Sequence, residues 1–153
     1  MKKIFPNCFA ALFLTFVVLS HDAAAQVEWP ISVKFIVDAS GNRPSGGIID
    51  TDQDVQDQID AANALIRPFS RGYALRLTEV RNLSGFASFF AAPRDVISTN
   101  LSPIALTNPA SILWRADALN YYINAADGMN EGITKRNLIT MGHKVTRETF
   151  THE

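Results

Sequence analysis

Thr51-Asp52-Gln53-Asp54-Val55-Gln56-Asp57-Gln58-Ile59-Asp60-Ala61-Ala62-Asn63-Ala64-Leu65-Ile66-Arg67-Pro68-Phe69-Ser70 is the stretch on which the fold turns. Val55, Ile59, Ala62, Ile66 and Phe69 recur at helical spacing and predict one apolar face, while Gln53, Gln56, Asp57, Asp60 and Asn63 form the wet face. Thr51 is the expected N-cap, and Asp52 and Asp54 put negative charge at the positive end of the helix dipole. Pro68 in the last turn and Arg71-Gly72 beyond it supply the stop. Asp50, Asp52 and Asp54 also spell D-x-D-x-D. An EF-hand loop needs glycine at its sixth position and glutamate at its twelfth, however, and Val55 and Ala61 stand there, so the aspartates belong to a capped, solvated helix start.

The segments on either side alternate. Ile31, Val33, Phe35 and Val37 interleave with Ser32, Lys34 and Ile36, the period of a half-buried strand opened by Trp29-Pro30. Tyr73, Leu75 and Leu77 interleave with Arg76 and Thr78 over residues 73–80. Strand, helix and strand make a βαβ unit, whose crossover is right-handed by rule. Residues 38–47 are turn formers without the spacing of a phosphate loop.

Beyond residue 80 the period fails until 110, with Pro93, Pro103 and Pro109 punctuating the stretch. Phe86, Phe89 and Phe90 in it either line a substrate groove or cover the sheet edge. A helical turn is predicted over 111–116, a central strand over 118–124, a turn over 125–128, a polar connection over 129–136 and a buried strand over 138–142. Thr146 to Glu153 reads as the opening of a helix.

Lys2 and Lys3, an apolar run from Phe9 to Ser20, and the small residues Ala23 and Ala25 form a signal-peptide pattern over residues 1–25. The run falls short of the roughly 20 residues of a membrane span. Cys8, ahead of the run, does not suit a lipoprotein anchor. The mature chain, expected from Gln26, holds 128 residues, no cysteine, 12 basic and 14 acidic groups. That fits a single domain, 26–153, exported to the periplasm or medium without disulfides. Its balanced charge gives no footprint for nucleic acid, and no membrane association is expected after signal cleavage.

His152-Glu153 is the first half of H-E-x-x-H, in which two histidines one helical turn apart bind zinc and the glutamate is the general base. A histidine in a helix's last turn is also favoured by the dipole without any metal. The wider pattern resembles the N-terminal subdomain of zincin metallopeptidases, secreted enzymes of the pappalysin and cytophagalysin type. The resemblance is carried by Ser32 to Val37, Asp54 to Asn63, Trp114 to Ile123 and Thr149 to Glu153.

It implies an α/β fold, of the α+β zincin kind. The expected sheet is mixed and twisted, with about four strands, one long amphipathic helix and the start of an active-site helix at the C-terminus. It further implies Zn2+ as cofactor, His152 as first metal ligand, Glu153 as catalytic base and a protein or peptide as substrate. The remaining ligands would follow Glu153, so the 153 residues are expected to be the front of such a domain and inactive alone. His143 is not required by the family pattern.

No Gly-x-Ser-x-Gly elbow, mature cysteine or outstanding carboxylate pair suggests another chemistry, and Asp117 and Asp127 read as capping or turn residues. The alternative is an exported, non-catalytic binding module that presents Phe86, Phe89, Phe90, Tyr121 or Tyr122 to a partner.

Overall fold

The computed structural model describes residues 27–69, 72–126, 133–135 and 138–144. The signal peptide of 1–25, the mature start at Gln26, Asp127, and the terminal helix with His152 and Glu153 lie outside the described residues. The elements are β1 (Val27–Ile36), α1 (Asp52–Ile66), β2 (Tyr73–Leu83), α2 (Arg94–Thr107), β3 (Leu119–Asn124), β4 (Ile133–Lys135) and β5 (Leu138–Gly142), with 3-10 turns at Ala87–Phe89 and Pro109–Ile112. They form one sheet in the order β2-β1-β3-β5-β4. The first four strands run parallel, and β4 lies antiparallel to β5.

β2 and β3 flank β1 on opposite sides, so crossovers of one hand must lay α1 and α2 on opposite faces. The packing agrees. Ile31, Val33 and Phe35 of β1 meet Val55, Ile59 and Ala62 of α1, whereas Ile36 and Tyr122 meet Ile97 and Leu101 of α2. The chain therefore winds out from β1 in both directions, and the switch between β1 and β3 opens at the C-terminal ends of the strands, where open α/β sheets bind their ligands.

α1 forms as its sequence predicts. Thr51 and Asp54 exchange hydrogen bonds in a capping box, and Val55, Ile59 and Ala62 are buried. It ends at Ile66, short of Ser70: Arg67 still has helical backbone, but Pro68 has no N–H to continue the ladder; Phe69, expected on the core face, is 88% exposed. Asn63, expected on the wet face, is half-buried: its side chain donates to the Leu75 carbonyl at 2.9 Å and accepts from the Leu75 amide at 2.8 Å. Asn63→Ala leaves both groups of β2 without their partner and is expected to destabilise by about 1–2 kcal/mol in urea titration, with Asn63→Leu no better.

Three expectations are corrected. β1 is not half-buried: Ser32 and Lys34, on the predicted polar side, are fully buried because α2 and the turn after it cover that face. Residues 94–107, expected to be irregular, are a helix, with Ile97 and Leu101 buried and Ile104 packed against the same core. Pro103 sits inside it and removes one ladder donor, a local loss that burial of the apolar stripe outweighs. The sheet has five strands where about four were expected, since the connection 129–136 contains β4. β2 also runs on to Leu83, with a bulge at Thr78, whose hydroxyl donates to the Ile31 carbonyl at 2.6 Å.

Candidate functional site

At the C-terminal edge of the sheet, β5 delivers His143 into the interior. It is 2% exposed, and its Nδ1 lies 2.7 Å from Asp50 Oδ1. The other Asp50 oxygen accepts the Gly47 amide at 2.9 Å. The His143 carbonyl accepts both the Ile48 and Ile49 amides, and its own amide donates to the Asn124 carbonyl. The residue that leaves β5 is thus tied to β3 and to the loop that opens α1. With Nδ1 committed to a carboxylate, the tautomer and ring orientation are fixed, as in buried histidines whose second nitrogen does chemistry.

The aspartates that resembled a cation loop have separate tasks. Asp54 closes the capping box and also accepts from the Asp50 and Thr51 amides, and the Thr51 hydroxyl, ahead of those amides, holds its carboxyl below the ordinary range. Asp52 pairs with Arg43, whose guanidinium lies over the Phe35 ring, and Asp50 takes His143. Among the described residues no group of three histidine, cysteine, aspartate or glutamate side chains is arranged to hold a metal.

On the opposite face lies a polar cluster that the sequence pattern hid. Lys34 Nζ donates to Asn120 Oδ1 at 2.5 Å and lies 5.4 Å from the centre of the Tyr122 ring. Ser32 beside it donates to Glu79. Burial, the largest influence, lowers the amine from 10.5 to about 7; Glu79 opposes this shift, and Arg115 and Arg81 add to it. Burial and then Glu79 push the Tyr122 phenol up, and its hydroxyl donates to the Ile112 carbonyl at 2.9 Å. Tyr122→Phe strands that carbonyl and is expected to lower stability by about 1 kcal/mol at every pH between 5 and 9, measured by thermal unfolding.

Tyr121 and Tyr122, offered as partner contacts, are 1% and 0% exposed and belong to the two cores. Phe86 and Phe89 stack with centroids 6.0 Å apart and pack on the α2-side core, while the Phe90 carbonyl accepts the Ala125 amide. The three therefore cover the end of β3. Asn124 fastens them, donating to the Phe89 and Ala92 carbonyls. Asp117 lies in a turn, as its sequence reading has it, and pairs with Arg115 at the surface.

Among the described residues no helix is long and apolar enough to cross a membrane. Comparison with protein-family models, curated proteins and solved structures finds no match to this chain.

Proposed function

We propose that this chain is the N-terminal part of a secreted zinc-dependent metallopeptidase, with His152 as first metal ligand and Glu153 as general base, and that it is inactive as 153 residues alone. The observation that carries the reading is the position of β5. This parallel strand points its C-terminal end at the edge where α/β sheets build their sites, and His152-Glu153 follows within ten residues of His143.

β4 supports the substrate class. It is an antiparallel strand at the sheet's margin, next to the strand that feeds the motif. An extended peptide pairs with such an edge through main-chain hydrogen bonds while its side chains alternate into pockets. Zinc, when bound, polarises the scissile carbonyl and lowers its water's pKa to about 7. Glu153 would take the proton of that water. His152 alone does not make a catalytic zinc site, which uses three protein ligands, and His143, the other mature-chain histidine, is buried against Asp50.

The test is the reading frame past codon 153. A histidine three residues after Glu153 is expected, and the protein expressed with that continuation should retain zinc and hydrolyse an unfolded protein until a chelator is added. Another residue at that position, or zinc-free purified protein, overturns the reading.

One observation favours the exported binding module instead. A wholly apolar pocket of about 310 Å³ lies at the opposite end of the sheet, lined by Trp29, Ile66, Tyr73, Ala74 and Leu75. Trp29 and Tyr73 are each about half exposed beside it.

A further inference from the structure

The amine of Lys34 sits in the middle of the sheet, out of reach of solvent. Its hydrogen bonds go to Asn120 Oδ1 and, at 3.4 Å, to the Ser32 carbonyl, and the Tyr122 ring faces it. The two side chains that surround the amine also hold down a roof. Asn120 Oδ1 accepts the Arg115 amide at 2.8 Å, and its Nδ2 donates to the carbonyls of Arg115 at 2.7 Å and Ala118 at 2.9 Å. Tyr122 holds Ile112. Whatever moves Asn120 or Tyr122 off the amine loosens the segment from Ile112 to Ala118.

That segment carries two costs of its own. Leu113 has left-handed backbone, φ 53°, where a branched side chain is disfavoured. Trp114 Nε1 is buried without a partner. Opening relieves both, which makes this the part of the second face that yields first.

We propose that Pro109–Ala118 is a proton-controlled cover: protonation of Lys34 favours lifting it from β3 so that water reaches the ammonium, and deprotonation lets it close. The inference is independent of the peptidase reading. Among the described residues the charged groups around the amine are few. From β2 come Glu79, which favours the ammonium, and Arg81, which opposes it; from the cover comes Arg115, itself paired with Asp117; from β3 comes the Tyr122 phenol. α2 brings only Arg94 and Asp95, in the turn whose Arg94 carbonyl accepts from Thr140 of β5.

The direction follows from proton counting. Closed, burial holds the amine at about 7; open, the amine returns toward its ordinary 10.5 and keeps its proton over the intervening range. The opening equilibrium therefore grows as pH falls through that window, by at most about tenfold per unit, and levels off below the lower value, where both states are protonated.

Hydrogen exchange of the whole chain, corrected for intrinsic rates, tests this at the Arg115 amide and the peptide around it, with α1 as internal reference. Between pH 9.5 and 7.5 the wild-type opening constant should rise several-fold to tenfold per unit, and in Lys34→Met it should be flat. Glu79→Gln should carry the rise to lower pH before it levels. A flat wild-type profile, or the same slope in Lys34→Met, overturns the proposal. Should Lys34→Met not fold, trypsin cleavage after Arg115 in the wild type, divided by that of a peptide of the same sequence at each pH, gives the same reading, and a constant ratio overturns it.

Discussion

Gly47→Ala is expected to destabilise the domain by about 3 kcal/mol or more, a large loss for one added methyl group. A Cβ at Gly47 would stand 2.3 Å from His143 Nδ1 and 2.6 Å from the His143 carbonyl oxygen. The imidazole cannot swing aside without giving up Asp50, and the carbonyl cannot retreat without giving up the Ile48 and Ile49 amides. Overpacking of about 1–3 kcal/mol thus adds to the loss of at least one buried hydrogen bond, itself about 1–3 kcal/mol. Gly46→Ala is the control: nothing lies within 4 Å of its Cβ, and only its φ of +81° is strained. That substitution should cost about 1–2 kcal/mol. Urea midpoints at constant m separate the two, and equal losses at 46 and 47 would remove the steric account of how β5 is locked.

The contrast between those neighbouring glycines marks what local sequence can express. Gly46, with its positive φ, lies in a stretch of turn formers visible on first reading, but the crowding at Gly47 comes from a residue 96 positions later, which no window contains. α1 was legible because its cap and its 3.6-residue apolar period both lie within one segment. The positions of β1, β3 and β5 were legible for the same reason. That β1 is an inner strand covered on both faces was not, because Ser32 and Lys34 give a strand the alternation of one wet face.

The missing information was α2. Ile97, Leu101 and Ile104 stand at steps of four and three, a helical stripe, but Pro93, Pro103 and Pro109 broke the stretch in the eye of any propensity rule. Pro93 is in fact the N-cap and Pro109 opens the following turn, so only Pro103 violates the rule. β4, three residues long, is shorter than the period needed to recognise a strand. As for the candidate site, a histidine after Gly142 was visible, but its carboxylate partner is 93 residues away in sequence. Lys34 stands on the polar side of that alternation, where lysine is almost always exposed, and only the roof over it makes it a buried amine.

That buried amine makes the second large prediction one of pH. The folded state holds Lys34 near 7 and the unfolded chain near 10.5, so the unfolded state binds more protons between those values, and stability rises with pH across that window. Below about 7 the destabilisation is present in full; above the upper value it is gone. Lys34→Met keeps the chain length, removes the ionisable group, and leaves Asn120 Oδ1 with the Arg115 amide as donor. It should be more stable than wild type by about 2–4 kcal/mol at pH 7, in line with apolar replacement of buried charge. The advantage should shrink by up to about 1.4 kcal/mol per unit as pH rises toward 10. The quantity to read is the difference between the two denaturation curves at each pH, in which every group common to both proteins cancels. Parallel curves, or a Lys34→Met protein weaker than wild type at pH 7, would mean that Asn120, Tyr122 and Glu79 solvate the ammonium as well as water does, and that the sheet tolerates its charge at no cost.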